Sequence, residues 1–490
     1  MVLSDDPKFR AFFKHYTSAL DEGVAALFAG AGLSQPSGYV NWRQLLKDVA
    51  DELDLDVTRE TDLIALAQYY LNTRRNRGRL NRLLIEEFTR DVSVTEAHRL
   101  IAKLPIRTIW TTNYDTLLEQ AFEQANKKVD KKIVLENLAT TTLNRDVTVY
   151  KMHGDISQPD KAVLTKDDYE TYSLERELFS TVLQADLTTK TFLFLGYSFN
   201  DPNLDYILSR IRVLLGTNQR EHYCVMRRLE RPARDGKSRK DYERERAEYE
   251  YQRRKQELRI DDLRRYSIEA LMLDDYAQVN EILRELNRRS HRKGVFVSGS
   301  AHTFDPLGKN RVEDLSRTLG REIIRRGYNL ISGFGLGIGN MVTLGALEQV
   351  YSDGRESVGE RTVLRPFPQP GSGSATPGLW PKYREEMLSV AGFAIFLCGN
   401  KQDRASGDTV IADGMLEEFR IAKAMGVYPL PVGATGHAAR QIWDEVVKDL
   451  SSYYSVSGLK RLFNTLGDPR KTNREILDTI FEVMEKVLPK

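Results

Sequence analysis

The chain has 490 residues, more than one hydrophobic core usually accommodates, and we therefore expect two or more domains. A hydrophobic fraction of 41% and a formal net charge of +2 are typical of a globular protein and give no global indication of nucleic-acid or membrane binding. The two cysteines, Cys224 and Cys398, are too few for a disulfide framework or a four-cysteine zinc site.

The first half of the chain alternates predicted helices with predicted strands. A polar N-terminal stretch without the pattern of an export signal precedes a helical pattern from Lys8 to Glu22, and a strand from Val24 to Ala29 follows. Three further strands are predicted at 106–111, 147–151 and 191–195, and three further helices at 42–53, 62–72 and 79–90. This alternation predicts a mainly parallel α/β sheet.

A strongly charged segment, Arg227 to Arg265, follows this first series. Its apolar residues are sparse, which indicates either an exposed charged helix or a partly mobile excursion. Because acidic residues are interleaved with the arginines and lysines throughout, the pattern favours a solvated face over a nucleic-acid-binding patch.

A second series of elements begins after the basic stretch from Arg288 to Lys293. Its predicted strands are 294–298, 329–332, 393–397 and 427–431, and its predicted helices are 311–326, 340–351, 383–390 and 415–425. Pro366 to Pro381 is predicted to be a long loop. We therefore predict two Rossmann-like α/β domains with mainly parallel sheets, over residues 1–287 and 288–490. The most apolar run, Val390 to Cys398, is far shorter than the roughly 20 residues that span a bilayer, so we expect a cytoplasmic protein.

Glycine-rich or polar turns follow four predicted strands of the first half. The turn Ala29-Gly30-Ala31-Gly32-Leu33-Ser34 has the small residues that let backbone amides approach a pyrophosphate, although such turns also occur for packing reasons. In the second turn, Thr111 to Asp115, the polar side chains either face a ligand or cap a helix.

The third turn, Lys151 to Asp155, contains His153, whose imidazole suits proton abstraction near neutral pH but could instead be structural. The fourth turn runs from Gly196 to Asp201. Because open parallel sheets bind ligands at the carboxyl ends of their strands, four such turns in succession indicate a ligand site at this edge.

In their order, these four turns resemble those of sirtuin-like proteins, specifically the bacterial antiphage branch. The resemblance implies that Asn113 lies at the nicotinamide ribose of NAD+ and that His153 is the catalytic base. It further implies that the remaining site residues contact NAD+ or shape its site, namely Ala29, Gly30, Ala31, Gly32, Leu33, Ser34, Asp115, Gly196 and Ser198.

Two departures bear on the reaction that this resemblance implies. Protein deacylases of the family carry a four-cysteine zinc module, which two cysteines cannot form. They also have a Pro-Asp-Phe-Arg stretch after the glycine turn, where this chain has Gly38 to Arg43. With no platform for an acylated peptide, water is the expected acceptor, and we predict a metal-free NAD+ hydrolase that releases nicotinamide and ADP-ribose.

The second half has a glycine-rich turn of its own, Ile331 to Asn340. Glycines at four alternating positions exceed what a packing turn needs, and they indicate phosphate or nucleotide binding. Gly299 and Ser300 end the preceding strand and could meet the same ligand. Arg384 and Lys401 are candidate phosphate-binding cations, although each could instead be a solvated surface residue.

This half, from about Lys293 to Val487, resembles the SLOG group of nucleotide-sensing domains, relatives of the lysine-decarboxylase-like phosphoribohydrolases. The enzymes of that group have a Pro-Gly-Gly-Xaa-Gly-Thr motif, which is missing here, and its loss favours a sensor over a second enzyme. The resemblance implies a set of signal-binding residues: Gly299, Ser300, Gly333, Gly335, Leu336, Gly337, Arg384, Lys401 and Glu417.

A sirtuin-like half followed by a SLOG half resembles ThsA, the effector family of the Thoeris antiphage system. That resemblance implies activation by a cyclic ADP-ribose isomer made by a TIR-domain partner, a homotetramer, and depletion of NAD+ that leads to abortive infection. No nucleic-acid or membrane partner is expected. Two alternatives are a non-catalytic nucleotide-binding regulator, in which His153 is structural, and an NAD-dependent protein deacylase, against which the missing cysteines count.

Overall fold

The computed structural model describes residues 6–488 apart from 200, 235, 237, 355–356, 367–378, 404–405 and 455. The chain divides into two compact units, Met1–Asn287 and Arg288–Lys490, called unit 1 and unit 2 below. No helix within the described ranges has both the length and the apolar character needed to cross a bilayer.

A parallel sheet forms the centre of unit 1, and its described strands number seven. They are β1 (Ala25–Ala29), β2 (Thr108–Thr111), β3 (Val129–Lys132), β4 (Val147–Lys151), β5 (Thr191–Leu195), β6 (His222–Arg227) and β7 (Ile268–Leu273). Their order is β3-β4-β2-β1-β5-β6-β7. The chain leaves β1 for β2 on one side and later returns to place β5 on the other side, so a topological switch point lies between β1 and β5. Open parallel sheets bind ligands in the crevice at such a point.

Helices cover both faces of this sheet, and the central strands β1 and β5 are therefore buried along their whole length. Leu27 faces one core and its neighbour Phe28 the other, as the two-residue period of a strand requires. The helices are α1 (Pro7–Asp21), α2 (Ala31–Ser34), α3 (Trp42–Leu45), α4 (Lys47–Asp51), α5 (Leu63–Arg74), α6 (Gly78–Phe88), α7 (Glu96–Lys103), α8 (Leu117–Gln124), α9 (Leu135–Leu138), α10 (Lys166–Glu170), α11 (Tyr172–Glu175), α12 (Glu177–Thr189), α13 (Pro202–Leu215), α14 (Arg239–Arg264) and α15 (Gln278–Ser290).

The charged segment between β6 and β7 contains the 26-residue helix α14. The prediction of an exposed charged helix is therefore confirmed for Arg239–Arg264, whereas Arg227 belongs to β6. Ion pairs one turn apart, such as Arg239 with Glu243 and Arg253 with Glu257, occur along it. Because these pairs are exposed to solvent, each contributes little to the stability of the helix. Among its described residues Leu263 is buried, so the helix contacts the rest of unit 1 chiefly near its C-terminal end.

Unit 2 contains a second parallel sheet and a small hairpin. The strands are β8 (Gly294–Ser300), β9 (Asn329–Ser332), β10 (Thr362–Leu364), β11 (Phe393–Cys398), β12 (Asn400–Gln402), β13 (Thr409–Ile411) and β14 (Tyr428–Pro431). The parallel sheet has the order β10-β9-β8-β11-β14, and β12 pairs with β13 in the antiparallel hairpin. A switch point again lies beside the first strand of the unit, here between β8 and β11.

The helices of unit 2 pack on both faces of its sheet around one apolar core. They are α16 (Lys309–Arg325), α17 (Gly339–Asp353), α18 (Val358–Arg361), α19 (Leu379–Leu388), α20 (Asp413–Met425), α21 (His437–Lys448), α22 (Lys460–Gly467) and α23 (Asn473–Val487). The predicted loop from Pro366 to Pro381 is partly wrong. Residues 367–378 lie outside the described part, but α19 already begins at Leu379 and includes Pro381. The helix tolerates this proline because the first helical turn has no intrahelical partner for the N–H that proline lacks.

Candidate functional site

The loops after β1 and β5 are in backbone contact at the switch point of unit 1. A Cβ atom on Gly30 would lie 2.5 Å from the carbonyl oxygen of Gly196, and Gly196 itself has a positive φ of 63°. The amides of Gly30 and Gly32 donate to the carbonyl oxygens of Leu195 and Gly196, both at 2.9 Å. These two amides, expected to approach a pyrophosphate, are therefore engaged within the protein, where they hold the two loops together.

The side chain of Asn113 is held on this pair of loops. Its Nδ2 donates to the carbonyl oxygen of Gly30 at 3.2 Å and to Oγ of Ser34 at 3.0 Å. With both amide hydrogens used, Oδ1 is buried and has no hydrogen-bond partner among the described residues. A buried acceptor without a partner costs about 1–3 kcal/mol, and such atoms in native proteins often face a ligand site. Asn113 thus presents a fixed acceptor at the crevice.

His153 lies against Asp201, a residue to which the sequence analysis assigned no role. Its Nε2 is 2.7 Å from Oδ2 of Asp201, and both side chains are almost fully buried. The other oxygen of Asp201 accepts from the amides of Asn203 and Leu204, so this carboxylate also caps α13. Burial opposes its charge, but the His153 imidazole and the two amides lower the pKa of Asp201. The available sequence signal was an aspartate before the proline that begins α13.

Two tyrosines enclose the other sides of the His153 ring. The ring centroids of Tyr169 and Tyr172 lie 5.5 and 6.4 Å from that of His153, both in edge-on geometry. The Tyr172 hydroxyl donates to the carbonyl oxygen of Met152 at 3.2 Å. Burial raises the pKa of both tyrosines, which therefore stay neutral beside the imidazole.

The other predicted residues of unit 1 lie at the same sheet edge with different contacts. Oδ1 of Asp115 accepts from the amide of Leu117 at 3.0 Å, a local bond at the start of α8, and the predicted role of Asp115 in the NAD+ site stays a prediction. Ser198 is exposed, and its carbonyl oxygen accepts from the guanidinium of Arg259 on α14. Ala29 ends β1, and the remaining residues, Ala31 and Leu33, lie in α2.

In unit 2 the glycine-rich turn after β9 lies against the end of β8. A Cβ atom on Gly335 would overlap the carbonyl oxygen of Gly299, and the Ala301 amide donates to the carbonyl oxygen of Leu336 at 2.9 Å. Gly333 is buried, Gly337 has a φ of 78°, and the Leu336 side chain is 73% exposed. The structure thus brings the predicted glycines together with Gly299 at one sheet edge.

The acidic residue next to Arg384 is Glu418, whereas Glu417 was predicted from the sequence as the acidic residue of the signal site. One oxygen of Glu418 lies 3.3 Å from Nε of Arg384, and the other accepts from Oγ of Ser298 at 2.5 Å. Burial raises the pKa of Glu418, although Ser298 and Arg384 oppose this effect. Glu417 instead pairs with Arg420 on the outer side of α20, since successive residues of a helix point about 100° apart.

The two remaining predicted residues of unit 2 flank a buried asparagine that sequence reasoning missed. Ser300 donates through Oγ to the carbonyl oxygen of Asn400 at 3.0 Å. The Asn400 side chain accepts from the amides of His302 and Thr303, which fixes the loop after β8. Lys401 extends from β12 and is paired with Asp413 at 2.9 Å, and its side chain is half exposed.

Comparisons with known proteins agree with this arrangement. Residues 278–487 match the Sir2- and TIR-associating SLOG family, and residues 107–253 match the SIR2-like domain. The chain is 44% identical to the NAD(+) hydrolase ThsA of Bacillus cereus (strain MSX-D12), with 98% of each chain covered. It is 42% identical to the NAD(+) hydrolase ThsA of Cytobacillus dafuensis, over 96% of this chain and 95% of that protein, and 42% identical to that of Enterococcus faecium, over 98% and 97%. The predicted fold class, a sirtuin-like half followed by a SLOG half, is confirmed.

No group of His, Cys, Asp and Glu side chains able to hold a metal ion occurs in the described part of the chain. The edge of unit 1 offers an oriented amide oxygen and an imidazole paired with a carboxylate. The chemistry available at the edge of unit 2 is that of a partly buried guanidinium and a buried carboxylate beside a glycine-rich turn.

The contact between the loops after β1 and β5 can be tested through Gly196. We expect Gly196→Ala to lower the free energy of unfolding by more than about 2 kcal/mol, because the new Cβ collides with the backbone of Leu33 in addition to straining a positive φ. Gly23→Ala is the matched control: its φ is 71° but nothing lies within 4 Å of the added atom, so it should cost about 1 kcal/mol. Equal losses in urea unfolding would contradict the close approach.

The burial of Glu418 predicts a pH dependence of stability. Because its pKa is raised above the ordinary value of 4.5, the folded protein keeps this proton at pH values where the unfolded chain has lost it. Relative to Glu418→Gln, the wild type should gain stability as the pH falls from above the raised pKa of Glu418 towards the ordinary value of 4.5. Urea unfolding at several pH values measures this difference. The control Glu417→Gln should show a constant difference, and a constant difference for Glu418→Gln would refute the prediction.

Proposed function

This chain belongs to the ThsA family of NAD(+) hydrolases, and from that premise we propose that unit 1 hydrolyses NAD+ to nicotinamide and ADP-ribose. The observation that carries the proposal is the free Oδ1 of Asn113, fixed at the crevice by two hydrogen bonds. It lies at the same sheet edge as His153, which a buried carboxylate orients. Hydrolysis with a general base requires a group that orients the attacking water and a side chain that takes its proton. An oriented amide oxygen and a carboxylate-paired imidazole can supply these two functions.

The proposed reaction begins with cleavage of the bond between the nicotinamide nitrogen and C1′ of the ribose, which leaves a positively charged ribosyl group. Oδ1 of Asn113 accepts a hydrogen bond from the attacking water or a ribose hydroxyl. As the water oxygen bonds to C1′, His153 takes the water proton and later releases it to solvent. Because Nε2 faces Asp201, Nδ1 is the ring nitrogen left to accept this proton.

For unit 2 we propose a sensor function over residues 288–490. A cyclic ADP-ribose isomer, made by a TIR-domain partner, binds at the carboxyl edge of its sheet. Its phosphates would meet the glycine-rich turn and Arg384, and its ribose hydroxyls would meet a buried acid. Glu418 suits that last role better than Glu417, because it already contacts Arg384. The proposed site comprises Gly299, Ser300, Gly333, Gly335, Leu336, Gly337, Arg384, Lys401 and Glu418.

Activation requires that the signal bind the active arrangement of the protein more tightly than the inactive one. A shift from about 1% to 99% active needs a difference in affinity of about 10⁴-fold, or about 5.5 kcal/mol. We propose that a homotetramer supplies this switch in the cytoplasm. Activated hydrolysis then depletes cellular NAD+ and aborts phage infection.

Substitutions in unit 1 test the catalytic assignment. His153→Ala and Asn113→Ala should each reduce kcat for NAD+ by at least about 10²-fold, as expected when a general base or an orienting group is removed. Asp201→Asn keeps the cap of α13 but removes the charge beside His153, and it should reduce kcat by about 10-fold or more. Nicotinamide and ADP-ribose are quantified separately. Asp205→Asn, one turn further along α13, is the control and should be near wild type.

Normal turnover by a folded His153→Ala variant would defeat the assignment of the base. The activator assay uses a panel of cyclic ADP-ribose isomers with purified full-length protein. No hydrolysis under any condition, from protein that binds both NAD+ and an isomer, would instead favour a non-catalytic nucleotide-binding regulator.

The signal site is tested by the concentration of isomer that gives half-maximal NAD+ hydrolysis. Arg384→Ala should raise this concentration by at least about 10-fold, since a charge-assisted contact to phosphate contributes about 1.5–3 kcal/mol. Glu418→Gln should also raise it. If Glu417→Gln raises this concentration and Glu418→Gln does not, Glu417, assigned from the sequence, is the acidic residue of the site. The assignment of Glu418 from its contact with Arg384 then fails.

A further inference from the structure

A fully buried lysine ends strand β4, two residues before His153. Lys151 has a side-chain exposure of 0%, which is rare for a lysine unless the ammonium is paired. Nothing in the proposed reaction uses it, since it contacts neither Asn113 nor His153 directly. Its position in the crevice edge nevertheless places it between the segments that carry those two residues.

The ammonium of Lys151 reaches the loop that carries Asn113. Its Nζ donates to the carbonyl oxygen of Tyr114 at 3.3 Å and to that of Asp115. These are the two residues that directly follow Asn113 in the chain. Two charge-assisted hydrogen bonds to consecutive carbonyl groups fix the path of the backbone there.

The same ammonium is paired with carboxylates on both sides. Nζ lies 2.6 Å from Oδ2 of Asp155, in the loop that carries His153, and 3.3 Å from Oε1 of Glu119 on α8. Burial alone would lower the pKa of Lys151, but Glu119 and Asp155 outweigh it and raise that pKa. The side chain therefore stays charged at neutral pH, and its bonds to both loops persist.

We propose that Lys151 is a positioning residue for NAD+ hydrolysis, whose ammonium ties the Asn113 loop to the His153 loop and so sets the separation of the two catalytic side chains. The inference rests on the proposed roles of Asn113 and His153. A displacement of about 1 Å between reacting groups can cost about 10²-fold in rate. Loss of this tie should therefore affect the chemical step more than the binding of NAD+.

The neighbouring strand provides a matched control. Lys132 ends β3, is 4% exposed, pairs with Asp130 at 3.0 Å and donates to the carbonyl oxygen of Thr140. It resembles Lys151 in burial, in its ion pair and in its bond to a backbone carbonyl. Its contacts, however, involve no loop that carries a proposed catalytic residue. Lys132→Met should therefore reproduce the cost of removing a buried charge without the effect on catalysis.

The experiment measures kcat and KM for NAD+ with the full chain, the activating cyclic ADP-ribose isomer, and a temperature below every variant's unfolding transition. Lys151→Met should lower kcat by about 10²-fold while KM changes less than about threefold. Lys132→Met should keep kcat within about threefold of the wild type, although both variants should melt at a lower temperature. A kcat for Lys151→Met equal to that of Lys132→Met would overturn the proposal.

If Lys151→Met does not fold, Lys151→Met/Glu119→Gln/Asp155→Asn removes the ammonium together with both carboxylates that pair with it, so neither carboxylate is left buried without its cation. The same loss of kcat is expected, because the bonds to Tyr114 and Asp115 are still absent, and a wild-type kcat would overturn the inference. The His153→Ala variant distinguishes the catalytic role of His153 from the positioning role of Lys151. An active His153→Ala protein defeats the proposed catalytic role of His153, on which the inference rests, whereas an inactive one beside a fully active Lys151 variant defeats the role of Lys151 alone.

Discussion

The backbone contact between the loops after β1 and β5 is the constraint on which unit 1 depends. It leaves the Gly30 carbonyl where it accepts from Asn113, and the β5 loop then continues to Asp201, which contacts His153. One close approach of glycines therefore determines the placement of both polar groups. Any side chain at this contact would separate the loops and displace the two groups together.

Behind this contact, the crevice is built from interactions that are costly on their own. The buried ammonium of Lys151 pairs with the buried Asp155 and donates to the two carbonyl groups that follow Asn113, whose own amide oxygen has no partner among the described residues. Such groups persist because the surrounding sheet and helices over-determine their positions. Unit 2 follows a similar plan, with Glu418 buried between Ser298 and Arg384 beside a glycine-rich turn. In both units the stability of the parallel sheet supports a strained and polar edge.

The sequence predicted the strands that carry the site because their apolar runs end abruptly in glycine or polar turns. It did not predict β3, since Val129–Lys132 is an edge strand with a polar composition. The side-chain partners of the site residues could not be predicted from the sequence, for a different reason. Asp201 meets His153 through tertiary packing, which local pattern does not encode. Glu417 and Glu418 are adjacent in sequence but about 100° apart around a helix, so the choice between them needed the orientation of α20.

The unsatisfied oxygen of Asn113 links the folded state to its substrate. On the proposed function, a donor group of NAD+ would satisfy this atom, and binding would then stabilise unit 1 by an amount that grows with the logarithm of the NAD+ concentration. Hydrolysis of NAD+ would therefore remove a ligand that stabilises the enzyme. The free energy of unfolding of unit 1 would then be greatest when NAD+ is abundant and would decrease to that of the ligand-free protein as the dinucleotide is consumed.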